Sequence, residues 1–204
     1  RNFRLCVELT ARSNARKWFD VGVEILPRLD GLTPLQWMPQ TLFGLTAVIV
    51  GAGPSLQRHI EILKSYQDDV VIFAVTSAVG PLIDEGICPH FAIHAEARDI
   101  SARGILEYLE GSFVIPGIHA HQSVLDAKSL GVIPAFQSVG PIGQFLCRTL
   151  EISPIHTGGT VSSIALQAAR MLGCRKIVLV GMDSAWGSGT DYYAPGVRSA
   201  PDPE

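Results

Sequence analysis

The stretch Leu45-Thr46-Ala47-Val48-Ile49-Val50-Gly51-Ala52-Gly53-Pro54-Ser55-Leu56 restricts the fold more than any other part of the chain. Val48, Ile49 and Val50 are β-branched and unbroken by polarity, the pattern of a strand covered on both faces in a parallel sheet. Gly51 and Gly53 then permit a sharp turn and a close approach of backbone to a ligand. Pro54 suits a first helical position. That leaves the amides of Ser55 and Leu56, with the Ser55 hydroxyl, free to meet an anion such as phosphate.

Downstream of Leu45 the chain alternates strand and helix patterns. Strands are predicted at Val70–Val75, Cys88–Ala95, Phe113–Ile118, Val132–Phe136 and Lys176–Met182. Helices are predicted after the first turn, with Leu56, Ile60 and Leu63 on one face, and over Ala78–Glu85, Ile100–Leu109, Ser123–Leu130 and Pro141–Leu150. A last helix opens at Thr157-Gly158-Gly159-Thr160 and carries Val161, Ile164, Ala165, Ala168 and Leu172 on one face. Such alternation predicts an α/β fold, a doubly wound and mainly parallel sheet with helices on both faces. Residues 1–43 instead place Phe3, Leu5, Trp18, Phe19, Val21, Ile25 and Leu26 in a helical rhythm, which Pro27, Pro34 and Pro39 break. They read as a helical N-terminal extension and linker before a main domain over 44–204. From about residue 187 the composition is that of a loop or lid.

At 204 residues one main domain plus an appendage is expected. An apolar fraction of 47% and a mean hydropathy of +0.27 describe a chain with a large core, not a disordered one. A net charge of −3 gives no general attraction to nucleic acid or anionic membrane, so phosphate recognition needs a local site. No apolar run is long enough for a transmembrane helix, and Arg1-Asn2-Phe3-Arg4 does not lead into a signal-peptide core. Cys6, Cys88, Cys147 and Cys174 are scattered without a C-x-x-C pair, which points to buried thiols in a reducing, cytoplasmic setting. The start at Arg1 and the end in Pro201-Asp202-Pro203-Glu204 read as those of a piece of a longer protein.

In an open parallel sheet, ligands bind outside the carboxyl ends of the strands. Gly51, Gly53, Pro54 and Ser55, then Thr76 and Ser77, then Glu96, His119 and Asp183 all fall there. Thr157, Gly158, Gly159 and Thr160 offer a second anion cradle at a helix start. The same residue types also cap strand-to-helix turns in any α/β protein, so the two explanations compete. Leu56 stands where G-x-G-x-x-G needs its third glycine and no G-K-[ST] follows, which disfavours a routine dinucleotide site and a P-loop. Glu96 and Asp183 are candidates to hold a magnesium ion through a nucleotide's phosphates, or to act as a general base. His119 or His121 is a catalytic candidate, and Trp186, Tyr192 and Tyr193 are candidates to stack on a base or sugar.

Taken together, G-A-G-P-S-L after the first strand, F-A-V-T-S-A after the second, C-P-H-F-A-I-H-A-E, and T-G-G-T-V-S-S-I-A-L through V-L-V-G-M-D resemble the 6-hydroxymethylpterin diphosphokinase-like family. That family includes the central domain of motility accessory factors, implicated in flagellin glycosylation. The resemblance covers about residues 45–190. It implies a Rossmann-like domain similar to bacterial sialyltransferases, in which Gly51, Gly53, Pro54 and Ser55 hold phosphate or ribose and Thr76 takes a position where the family often has Asn. Glu96 takes the acidic position after the third strand. His90 replaces the usual aspartate after the proline, and His94-Ala95-Glu96-Ala97-Arg98 departs from the acid-rich run of the archaeal pterin enzymes. Both departures favour the motility-factor branch. A histidine often expected after the last motif is not present in Gly187–Tyr193. The leading expectation is a glycosyltransferase-like domain that binds a CMP-activated nonulosonic acid and acts on flagellin or another protein acceptor. The alternatives are magnesium-dependent transfer of pyrophosphate from ATP to a pterin alcohol, and a non-catalytic nucleotide- or protein-binding module.

Overall fold

β1 (Thr46–Val50) lies inside a parallel sheet, as its unbroken apolar run requires. The computed structural model describes residues 2–100, 104–155, 160–184 and 193–197. Among them the other strands are β2 (Val71–Val75), β3 (Phe91–His94), β4 (Phe113–Pro116), β5 (Gly131–Val132) and β6 (Lys176–Val180). Their order across the sheet is β5-β4-β3-β2-β1-β6, and every pairing is parallel. In register, Val48 sits between Ile72 and Val178. The chain therefore winds outward from β1 to β5 and then returns to the far side of β1, which puts a topological switch point between β1 and β6.

Five α-helices accompany the described sheet: α1 (Asn2–Ile25), α2 (Ile60–Tyr66), α3 (Thr76–Asp84), α4 (Gly140–Thr149) and α5 (Val161–Met171). Two apolar layers follow from strand alternation. Val48, Val50, Ile72 and Ala74 face a layer with Leu56, Ile60, Leu63, Val79 and Leu82, whereas Ala47, Ile49, Phe73 and Ile93 face Ile164, Ala165, Ala168 and Leu172. Rings of Phe73, Phe91 and Phe113 stack across three strands of the second layer, with centroids 4.6 and 5.8 Å apart. No helix among the described residues is long and apolar enough to cross a membrane.

Several expected elements are shorter than their sequence patterns. After the first turn the chain forms a 3₁₀ segment, Pro54–His59, before α2 begins, although Leu56, Ile60 and Leu63 are buried on one face as expected. Of the helix expected over 100–109, residues 101–103 lie outside the described residues, and the rest is a 3₁₀ turn at Leu106–Leu109 that follows Gly104 at φ +61°. The helix expected over 123–130 is a 3₁₀ segment, Gln122–Asp126, which ends at extended Ala127. It is held by the His121 ring, which accepts from the Ser123 amide, and by an Arg28–Asp126 ion pair at 2.8 Å. The strand expected over 132–136 narrows to β5 and an isolated bridge between Gly117 and Ala135; the Ile133 and Ala135 amides still donate to the Val114 and Pro116 carbonyls, while the Pro134 carbonyl turns the other way and accepts the Leu35 amide. The thiol expectation also needs correction: Cys147 is buried, but Cys88 is exposed. The Thr157-Gly158-Gly159 stretch, Trp186 and Tyr192 lie outside the described residues.

Candidate functional site

A cleft of about 490 Å³ opens at the carboxyl ends of β1, β2, β3 and β6. That is within the size range of small-molecule sites. Gly51, Ala52 and Gly53 line it after β1, Val75, Thr76 and Ser77 after β2, His94 and Glu96 at the end of β3, and Gly181, Met182, Asp183 and Ser184 after β6. Thr160, Val161 and Ser162 enter from the start of α5, and Tyr193 closes one side. Of the expected site residues, Gly51, Gly53, Thr76, Ser77, Glu96, Thr160 and Asp183 thus meet in one place. Pro54 and Ser55 start the 3₁₀ segment just behind Gly53.

The first turn is shaped by its own neighbours. The Gly51 amide donates to the Val180 carbonyl and the Gly53 amide to the Gly181 carbonyl, each at 2.8 Å, so the two backbones run on together past the end of the sheet. A Cβ at Gly51 would lie 2.5 Å from the Gly181 carbonyl oxygen, and one at Gly53 would lie 2.5 Å from Asp183 Oδ2 and 2.8 Å from that same carbonyl oxygen. Both distances are too short for any side chain, so the glycines are required by β6 whether or not a ligand binds.

Asp183 completes this arrangement. Its Oδ2 accepts the Ser55 amide at 2.7 Å, and the Ser55 hydroxyl also hydrogen-bonds the carboxylate. These two bonds hold the Asp183 pKa below the usual carboxylate value, with a smaller lowering from Arg58 and His59. The carboxylate therefore occupies the amide that the sequence offered to phosphate.

The remaining anion-friendly features are two helix starts. α3 begins at Thr76 after extended Val75, and α5 follows extended Thr160; neither preceding residue caps its helix through a side chain. Thr76 and Ser77 at the first of these starts, and Thr160, Val161 and Ser162 at the second, line the cleft, and the first amides of a helix have no intrahelical partner. No lysine or arginine is among the described residues lining the cleft. Glu96 is exposed there, and its carbonyl accepts the His121 amide at 2.9 Å. Among the described residues no three His, Cys, Asp or Glu side chains gather to hold a metal ion. Glu96 and Asp183 share the cleft, but Asp183 spends acceptor capacity on Ser55.

His94 is a wall residue that motif reasoning did not select. It is 1% exposed and shares a 3.0 Å hydrogen bond with the Thr76 hydroxyl. It is the last residue of β3, at the carboxyl edge where polar residues were sought, which was the available signal. Segment 193–197 was expected only as part of a loop. The Ala194 amide donates to the Ala52 carbonyl at 2.8 Å, and Ala194 is buried over the first turn.

His119, the third catalytic candidate, is placed elsewhere. It follows β4 in a turn, not on a strand, and does not line the cleft. Its ring stacks on Trp18 of α1 with centroids 5.3 Å apart. Nε2 lies 2.6 Å from the Val139 carbonyl oxygen and Nδ1 lies 3.3 Å from that of Trp18. Burial lowers its pKa, opposed by those two carbonyls. A histidine with a lowered folded pKa contributes stability that is full above its unfolded pKa, about 6.5, and is lost as pH falls from there through the folded pKa. The urea midpoint of the wild-type chain is thus expected to fall with acidification below about pH 6.5. His119→Gln should show a shallower fall over the same range; equal slopes in the two proteins would refute this role.

A family model described as 6-hydroxymethylpterin diphosphokinase MptE-like matches residues 28–189. The chain is 28% identical over 142 residues to the 6-hydroxymethyl-7,8-dihydropterin pyrophosphokinase of Methanothermobacter thermautotrophicus, an alignment covering 67% of this chain and 56% of that protein. It is 40% identical over 55 residues to an uncharacterized protein of Treponema pallidum, covering 27% of this chain and 26% of the other. Among solved structures, the MAf glycosyltransferase from Magnetospirillum magneticum AMB-1 superposes with a TM-score of 0.63 at 27% identity, over 76% of this chain and 25% of that one. The architecture is Rossmann-like, as expected. The chain spans about half the length of the pyrophosphokinase and a quarter of the glycosyltransferase.

Proposed function

Because the chain belongs to the 6-hydroxymethylpterin diphosphokinase MptE-like family, we propose that its cleft binds a nucleotide-activated sugar and serves a glycosyltransferase. The observation that carries this reading is the makeup of the cleft: hydroxyls and two helix starts, with two carboxylates and no described lysine or arginine. Helix starts and hydroxyls suit a singly charged phosphodiester such as that of a CMP-sugar. A triphosphate carries far more charge and needs cations to neutralise it. Similarity to a MAf glycosyltransferase supports the same choice. In this reading Thr76, Ser77, Thr160 and Ser162 bind the donor, together with Thr157, Gly158 and Gly159 of the segment before α5. Glu96 is the general base that takes a proton from an acceptor hydroxyl. The donor is a CMP-activated nonulosonic acid and the acceptor a protein such as flagellin.

A second reading, transfer of pyrophosphate from ATP to a pterin alcohol, draws on the similarity to the archaeal pyrophosphokinase. There Glu96 would hold magnesium together with the substrate's phosphates; the ion's contribution is charge neutralisation.

A thermal-shift panel of CMP, CDP, ATP and GTP, each with and without magnesium, separates the two. A ligand at 100 times its Kd stabilises by about 2.7 kcal/mol. A preference for cytidine nucleotides is expected, and Thr76→Val should weaken it by about tenfold through loss of a hydrogen bond to a charged group. Magnesium-dependent preference for ATP would shift the assignment to the second reading. No response to any nucleotide would sink both and leave a non-catalytic module.

A further inference from the structure

The Gly51–Ser55 turn has the form of an anion site, and the chain already fills it with an anion of its own. Asp183 Oδ2 takes the Ser55 amide at 2.7 Å and the carboxylate also takes the Ser55 hydroxyl. Gly53 passes so close that a Cβ there would lie 2.5 Å from Oδ2, which leaves no room for a phosphate oxygen between turn and carboxylate. An incoming phosphate would meet a like charge; Arg58 and His59 act on Asp183 less than Ser55 does and do not line the cleft.

A carboxylate has about four acceptor positions, and Ser55 uses two. Asp183 lines the cleft and is only partly buried, so its remaining capacity faces a bound molecule. Uncharged hydroxyl donors satisfy it without repulsion, and two adjacent hydroxyls match the two oxygens of a carboxylate. We infer that Asp183 closes the Gly51–Ser55 turn to phosphate and makes it the recognition point for the vicinal diol of a nucleoside ribose. This rests on the nucleotide reading above. Phosphate is thereby left to the other side of the cleft, at the starts of α3 and α5.

The test uses the full chain and calorimetric titration with inorganic phosphate, cytidine and 2′,3′-dideoxycytidine. The wild-type protein should bind cytidine about tenfold more tightly than the dideoxy analogue, and Asp183→Asn should reduce that preference to about twofold or less. The same variant should bind phosphate about tenfold more tightly than wild type, because the internal charge is gone. Equal wild-type affinity for the two nucleosides overturns the diol assignment and needs no variant. Unchanged phosphate affinity in both Asp183→Asn and Asp183→Ser overturns the exclusion. If wild type binds neither nucleoside, the nucleotide reading and the diol assignment fail together, and the phosphate titration alone decides whether Asp183 guards the turn.

Discussion

Gly51→Ala is expected to destabilise the ligand-free protein by about 3 kcal/mol, the upper part of the range for overpacking a rigid site. Its Cβ would meet the Gly181 carbonyl oxygen at 2.5 Å and the Met182 side chain at 3.0 Å. The first of these is backbone, and it is held in place from both sides. Gly51 and Gly53 donate to Val180 and Gly181, and Val50 is in register with Val180 in the adjoining strands. Gly181 itself sits at φ +65°, and a Cβ on it would fall against the Gly51 carbonyl oxygen, so the two backbones crowd each other in both directions. For a chain of this size, 3 kcal/mol corresponds to a fall in Tm of about 6–12 °C, readable by calorimetry. Gly31→Ala is the control: unlike Gly51 that glycine has positive φ, but it has no atoms near its missing Cβ, and about 1 kcal/mol is expected. If Gly51→Ala kept the wild-type Tm yet lost ligand binding, the glycine would belong to the ligand and not to the β1–β6 junction. Gly53→Val is for the same reason a probe of folding, not of binding.

Replacing Ile25 or Leu35 by Ala should cost about 2–5 kcal/mol each, as for fully buried aliphatic side chains elsewhere in a core. Both are 0% exposed, and they sit on opposite sides of the sheet. Ile25, at the end of α1, joins the layer containing Val48, Leu63 and Val79. Leu35 joins the layer containing Ile49, Phe73 and Ile164. The Leu35 amide also donates to the Pro134 carbonyl at 2.8 Å, and Gln36 Nε2 to the Phe136 carbonyl at 2.7 Å. Ile25 and Leu29 therefore contribute to one apolar layer and Leu35 to the other. Urea unfolding of the two variants measures the effect, and losses under 1 kcal/mol at both positions would refute this account.

The strands whose apolar runs are dense and β-branched, β1, β2 and β6, were readable within a residue or two, because such runs mark a strand whether it is buried on both faces, as β1 and β2 are, or largely exposed at the sheet edge, as β6 is. The cleft's position followed from the same reading, since polar residues that end parallel strands collect at one edge of the sheet. The segments between 100 and 136 were read too regularly. There a positive-φ glycine and an ion pair from Arg28 accompany the irregular backbone, and neither has a periodic signature.

His119 and Asp183 mark the boundary of what the residues alone determine. Sequence placed both at carboxyl ends of strands, and by that criterion they were equivalent. Packing separates them: α1 and α4 meet at His119 and bury its ring between two carbonyls, while β6 carries Asp183 to the Ser55 amide 128 residues earlier in the chain. Local pattern determined that this chain forms a parallel α/β sheet with a glycine turn at its switch point, because periodicity and turn chemistry are properties of neighbouring residues. Only the tertiary structure decided what fills that turn, because the carboxylate that takes its amide comes from a residue 128 positions away in the chain that sheet pairing brings alongside.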